Sequence, residues 1–476
     1  MKLKNIALKG LFWMTSNMSS LFILSFVKIF ILVRYLSADE IGILSILIFL
    51  NSLFVIISEL GVGNVIVRQQ ETSSVILSSL FWLRFIMSMI LYIILFYLTW
   101  IIANFYNEPR LEFLIKISAI SSIFMNISDF FRIIYQKNLN FKTIAMISII
   151  SEIIGFILVC FLLIKGYGLY AAIAGILVTA FLNSSLYFIH SSIYGFLPRF
   201  IINLNFIILY LKPSSYQMSE KLFNYFSSNL DKILIGKFLG MSALGIYELA
   251  WKLMIAPVRQ LNPIIHNVSY PIYSKIKDNK LKQEIYINII KFIGLITIPL
   301  FTYIFVNPNF VILILFGEGW EKVAEILLPL LIVGAIKTLT NPTGAYMMSK
   351  NRFDLTFNWN ILSFAILISS LLISLYLAPS LENVSFTILI ANIIIGFIIH
   401  KQVASHANLN YFHIIKDTVI TITLAVLCII ITHTFFNFAM INNDYVKYIF
   451  AITYFFLYFG SAYILNYKTI KSFLRG

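Results

Sequence analysis

Stretches of about 20 consecutive apolar residues recur along almost the whole chain, and few folds tolerate them. Inside hydrocarbon every backbone N–H and C=O must find a partner in protein, so a spanning segment is a helix or a strand of a closed barrel. The runs lie near residues 11–33, 41–60, 76–103, 113–135, 143–164, 168–190, 218–238, 246–270, 286–306, 325–348, 358–378, 384–400, 414–435 and 446–466. They are continuous, whereas a barrel strand alternates apolar and polar residues. The chain is therefore expected to be an all-α polytopic membrane protein with about 14 transmembrane helices. Over 476 residues, 60% are hydrophobic and 12% charged, which excludes an ordinary soluble domain.

Two of these stretches resemble each other at a spacing of 203 residues. Arg34-Tyr35-Leu36 falls on Lys237-Phe238-Leu239, and Ile41-Gly42-Ile43 falls on Leu244-Gly245-Ile246. An internal repeat in a membrane protein points to a transporter built from two related halves, with substrate held between them. Six runs precede a proline-bounded segment, Gly195–Pro213, expected to lie along the inner membrane surface. Six is even, so both halves enter the membrane in the same sense. The predicted organisation is an N-terminal six-helix lobe at 1–190, a cytoplasmic interfacial linker at 191–215, a C-terminal six-helix lobe at 216–400, and two further helices with a basic tail at 401–476. The lobes should be related by a pseudo-two-fold axis along the membrane normal.

The net charge of +15 is scattered between apolar runs rather than gathered in a patch, so nucleic acid is not an expected partner. Its distribution is topological. One alternate set of loops holds most of the basic residues, among them Arg132, Lys137, Lys142, Arg199, Lys275, Lys277, Lys280 and Lys350. The opposite set holds only Arg34, Arg110, Lys165, Lys237, Lys322 and Lys447. The positive-inside rule then puts both termini in the cytoplasm. The N-terminal run lacks a small-residue cleavage site and reads as an uncleaved first span.

Ionisable residues inside the runs carry the functional information, because each costs about 2.5–3.5 kcal/mol at a helix centre. Lys116, Lys291 and Arg84 are near enough to run ends for snorkelling to explain them. Lys28, Lys252, Arg259 and Lys337 are deeper, and Lys232 adjoins Asp231. Lys28, Arg84, Lys232, Lys252, Arg259 and Lys337 are thus the candidate cations of a water-filled cavity suited to a phosphate or pyrophosphate group. Glu59, Asp231 and Glu248 either neutralise them or bind a coupling ion, H⁺ or Na⁺. Asp231 matches Lys28 in the repeat, which suggests a direct contact between the two. Catalytic residues, a metal site and a cofactor are not expected.

Other motifs are weaker. Gly166-x-Gly168-x-x-Ala171 imitates a dinucleotide fingerprint but lacks a βαβ setting, and small residues also permit close helix packing. Pro257, Pro263 and Pro271 are expected to break the eighth span, and Pro299 and Pro329 to bend the ninth and tenth.

Several segments resemble Wzx-type polysaccharide flippases, especially the colanic-acid-exporter branch, within the multidrug/oligosaccharidyl-lipid/polysaccharide exporter superfamily. They are Gly10-x-x-Trp13, Leu32–Leu44, Ile57–Gln69, Gly166–Gly175, Asn224–Leu253 and Pro257–Asn279. The resemblance implies two six-helix lobes plus two helices in a bacterial inner membrane. It also implies alternating-access flipping of undecaprenyl-pyrophosphate-linked oligosaccharide for O-antigen, capsule or exopolysaccharide assembly. The expected partners are that lipid-linked substrate, membrane lipids, and polysaccharide polymerase and export machinery. Alternatives are a lipid-II flippase or ion-coupled multidrug antiporter of the same superfamily. From another class, an integral-membrane polymerase or glycosyltransferase would need a large outer loop, and none exceeds about 20 residues.

Overall fold

The computed structural model describes residues 2–68, 73–264, 269–276, 278–407, 411–438 and 444–475, and these are helical almost throughout. The helices of the first part are α1 (Lys2–Tyr35), α2 (Ala38–Glu59), α3 (Val62–Arg68), α4 (Ser74–Tyr106), α5 (Arg110–Lys137), α6 (Phe141–Ile164), α7 (Leu169–Tyr194), α8 (Leu204–Ser227) and α9 (Leu230–Ile264). Then follow α10 (Tyr270–Lys275), α11 (Asn279–Val306), α12 (Pro308–Phe316), α13 (Glu321–Met348), α14 (Phe353–Leu377), α15 (Leu381–Ala407), α16 (Tyr411–Phe438) and α17 (Asp444–Arg475). Lys277 and His266 lie outside the described residues. The chain divides into two compact units, Met1–Gly245 and Ile246–Gly476.

Among the described residues, 12 helices are long and apolar enough to cross a membrane, and a shorter apolar stretch, Ile449–Leu465, lies within α17. The run expected at 218–238 is not one helix. It ends at Ser227, turns through Ser228 and Asn229, and resumes at Leu230, with Asn229 Nδ2 donating to the Tyr225 carbonyl at 2.8 Å. Helix α9 is two helical segments joined at Gly240, whose φ of 87° and ψ of 175° are open to glycine and strained for other residues.

Local sequence explains the boundaries. Ser37 and Glu40 form a reciprocal capping box that starts α2, and Leu60 and Gly61 in left-handed conformation end it. Gly240 stands 203 positions after Ser37, so the repeat places a helix boundary at equivalent points in both copies. The equivalent glycines lock together. A Cβ on Gly42 would fall 1.9 Å from the Met241 carbonyl oxygen, and one on Gly245 would fall 1.9 Å from that of Ala38. Ala38 and Met241 are themselves repeat mates.

In the first unit α2 and α5 are central, and exposed apolar side chains on α4 and α6, such as Ile93, Tyr97 and Ile157, face outward as lipid would require. The segment 195–203 is held against α4. Ser78 and Ser79 hydroxyls accept from the Arg199 and Asn203 N–H groups at 3.0 Å, and Phe200 stacks on Trp82 at 4.1 Å. Helix α8 then packs along α2, with Tyr225 donating to the Phe49 carbonyl at 2.8 Å.

In the second unit α11 and α13 are central. Pro299 and Pro329 sit inside continuous helices. The C-terminal segment of α9 runs through Pro257 and ends at Ile264, one residue after Pro263, and Pro271 stands in the separate helix α10, so the run expected at 246–270 is not one helix. Helices α16 and α17 dock on α11, where the buried Tyr454 hydroxyl donates to the Pro299 carbonyl at 3.0 Å. Gly166 and Gly168 have positive φ in the turn between α6 and α7, so their role is conformational.

Candidate functional site

Helix α5 sets out Asn126, Asp129 and Arg132 at a three-residue spacing, which puts them on one face. Arg84 reaches that face from α4, with 1% of its surface exposed. Its Nε donates to Asn126 Oδ1 at 2.8 Å and its Nη2 to Asp129 Oδ2 at 3.0 Å. The Arg132 Nε donates to Asp129 Oδ1 at 3.1 Å. One carboxylate therefore serves two guanidinium groups, leaving one formal positive charge on the cluster. A buried cation so well paired does not snorkel, contrary to the reading of Arg84 as a run-end residue. Arg132, expected in a loop, lies inside α5 because the helix continues to Lys137.

Arg132 is half-exposed and opens onto a cavity of about 390 Å³ framed by α2, α5, α6 and α7. Besides Asp129 and Arg132, its polar lining comes from Ser52, Ser128, Ser148, Asn183 and Tyr187. A cavity with charged and hydroxyl side chains in its lining, within a bundle of spanning helices, can admit water and hydroxyl-rich or anionic groups that hydrocarbon excludes.

The other predicted site residues fall in several places. Lys28 of α1 pairs with Glu152 of α6. Among the described residues, Glu152 rather than Asp231 is the carboxylate within ion-pair distance of Lys28. Glu59 at the end of α2 binds Lys221 of α8 through both carboxylate oxygens, at 2.6 and 2.7 Å. The Asp231 carboxylate accepts from the Lys232 backbone N–H at 2.9 Å. Lys116 pairs with Glu112 at 2.7 Å, and Lys291 with Asp417 at 3.5 Å.

The second unit brings three predicted residues together. Glu248, nearly buried, lies 3.4 Å from Lys252 one helical turn on. Lys337 of α13 sits over the Trp251 ring at 5.1 Å, and Trp251 stacks on Tyr247. Two cations and one acid thus stand beside an indole. Arg259 is exposed two turns further along α9.

Asn126, Asp129, Arg132, Lys221 and Trp251 were missed as site residues by the sequence reading. The Asn-x-x-Asp-x-x-Arg spacing on α5 was a readable signal; Trp251 had none apart from Lys252 beside it.

Paired helical units that carry charge clusters inside apolar spans define a multi-pass membrane protein of transporter type. The fold matches that of "Lipid II flippase MurJ, inward closed conformation" with a TM-score of 0.71, covering 97% of this chain and 100% of that one at 15% identity. Residues 31–325 match the family described as "Polysaccharide biosynthesis protein", and the chain belongs to it. It is similar to the teichuronic acid biosynthesis protein TuaB of Bacillus subtilis (strain 168), 30% identical over 308 residues, 64% of this chain and 63% of TuaB. The match thus spans less than two thirds of TuaB. It is also similar to the lipopolysaccharide biosynthesis protein WzxC of Escherichia coli (strain K12), 26% identical over 419 residues, 87% of this chain and 82% of WzxC.

Proposed function

We propose that this protein flips undecaprenyl-pyrophosphate-linked oligosaccharide units across the bacterial inner membrane by alternating access, with both termini in the cytoplasm, for surface polysaccharide assembly. The observation that carries the reading is the cluster of Arg84, Asp129 and Arg132, with net positive charge, opening onto a cavity inside a bundle of spans that hydroxyl and amide side chains help to line. Membership in the polysaccharide biosynthesis family supports it. The sugars and pyrophosphate need a wet, hydrogen-bonding path, while the polyprenyl tail can stay in lipid. Guanidinium groups suit the pyrophosphate, and hydroxyls and amides suit the sugars. The second cluster, with Lys252 and Lys337 beside Trp251, combines cations with an aromatic face, the chemistry that suits a pyrophosphate and sugar rings. No bond is made or broken, so the step is transport rather than catalysis. Either an H⁺ or Na⁺ gradient, with Glu59, Asp231 or Glu248 as the coupling acid, or the downstream removal of product drives it. The excess of cations over acids in the cluster of Arg84, Asp129 and Arg132 favours an anionic headgroup over the cationic substrates of a drug antiporter.

The test is translocation of a fluorescent lipid-linked oligosaccharide in proteoliposomes. Arg132→Ala should slow flipping at least tenfold while the protein inserts and purifies normally. Flipping of lipid II at the same rate as an oligosaccharide repeat unit, or an unchanged rate in Arg132→Ala, would overturn the assignment. Collapse of the H⁺ and Na⁺ gradients in separate arms identifies the driving ion.

A further inference from the structure

At one end of the second unit, α11 begins and α13 ends side by side. Tyr286 of α11 and Tyr346 of α13 are both completely buried and stack at 4.5 Å, with Tyr273 of α10 packed edge-on to Tyr346 at 5.5 Å. Four residues before Tyr286, on the same helix face and one turn nearer the end, is Lys282; it is only 7% exposed. Four residues after Tyr346 is Lys350, whose ammonium lies 5.3 Å from the Tyr346 ring centroid. The stacked tyrosines thus carry a lysine each toward the same rim. Burial, with the neighbouring Lys282 charge, holds the Lys350 ammonium below the ordinary lysine range.

Neither ammonium has a carboxylate within ion-pair distance among the described residues. The acids of this rim are engaged or exposed elsewhere: Asp278 caps α11 through the Lys280 N–H at 2.9 Å, Asp354 binds Arg352 at 2.8 Å, and Glu284 is exposed. The Tyr346 hydroxyl is buried and has no partner among the described residues. Two like charges held together, one of them nine-tenths covered, are unfavourable unless an anion joins them. Both lysines stand at the ends of spanning helices, Asn279–Val306 and Glu321–Met348, the depth at which lipid phosphates lie.

We propose that Lys282 and Lys350 clamp the phosphate of an anionic membrane phospholipid at the rim where α11 starts and α13 ends. The site is separate from the clusters around Arg132 and Trp251 and stands whatever substrate is carried. The ammonium groups are point-charge donors that suit a phosphate without demanding one geometry. The headgroup phosphate removes the repulsion between them and fixes the end of α13 against α11.

The experiment is native mass spectrometry of the purified full chain titrated with phosphatidylglycerol or phosphatidylcholine, with thermal midpoints read alongside. Wild type should retain phosphatidylglycerol selectively and gain thermal stability from it. Lys282→Met and Lys350→Met should each weaken its binding about fivefold, and the pair about 25-fold, at roughly one surface-lysine contribution apiece. Both variants should be as stable as wild type, or more so, in neutral detergent, because an uncompensated charge has been removed. Lys280→Met, an exposed lysine on the same helix, should bind as wild type does. Equal binding by the double variant, an equal loss in Lys280→Met, equal stabilisation by phosphatidylcholine, or equal stabilisation by inorganic phosphate at matched concentration would each overturn the proposal.

Discussion

Gly42→Ala adds one methyl group where the structure has none to spare. The new Cβ would stand 1.9 Å from the Met241 carbonyl oxygen, whereas ordinary contact begins near 3.4 Å, so the two backbones must part by about 1.5 Å. A carbonyl oxygen cannot swing aside as a flexible side chain can. Overpacking costs roughly 1–3 kcal/mol, and a rigid neighbour puts this site at the upper end. Even a gap of roughly 0.5–1 Å forfeits a quarter to a half of each dispersion contact along the seam. Alanine's better helix propensity offsets about 1 kcal/mol, leaving a net loss of about 2 kcal/mol. For a unit of this size, that lowers the melting midpoint by on the order of 4 °C. Gly245→Ala meets the Ala38 oxygen in the same way and should cost as much. Because each substitution opens the same seam, the double variant should lose less than the two losses added together. The assay is the thermal midpoint by size-exclusion chromatography in detergent, at one heating rate. A Gly42→Ala midpoint equal to wild type, or strictly additive losses, would refute the interlock.

Asp129→Asn leaves Arg84 buried and under-neutralised, so it should destabilise by roughly 3–5 kcal/mol, seen as a lower midpoint or loss of purified monomer. Arg84→Met should cost less than Asp129→Asn, because it removes the buried charge itself. Glu108 precedes α5 and accepts from Arg110 Nε at 2.7 Å, and this hydrogen bond holds its carboxyl below the usual range. A lowered folded value means stability present above the ordinary carboxylate pKa and lost as pH falls through the folded one, so acidification should lower the midpoint less in Glu108→Gln than in wild type. Lys337→Ala should slow flipping more than Arg259→Ala, since Lys337 sits on the Trp251 face and Arg259 is exposed, as proteoliposome transport would report.

The apolar runs were legible because hydrocarbon leaves a spanning backbone so few choices. Helix starts such as Ser37 followed by Glu40 were legible because capping is local chemistry. The 203-residue repeat found Gly42 and Gly245, yet only the folded chain shows each seated on the other copy's backbone. The run at 218–238 misled because hydropathy is blind to a turn such as Ser228–Asn229 within apolar flanks. Helix continues through Pro257, Pro299 and Pro329, because neighbouring groups inside a bundle can take over the backbone partners that proline frees.

Charge shows the same division. The sequence alone determined which ionisable residues enter the membrane, since that follows from where the apolar runs fall. It could not determine their partners. Arg84 finds Asp129 from 45 residues away and Lys28 finds Glu152 from 124 away. Such pairs depend on which helices become neighbours and which faces they turn together. Burial is a property of one segment and can be read along the chain; neutralisation is a property of two, and only tertiary packing brings the second charge within reach.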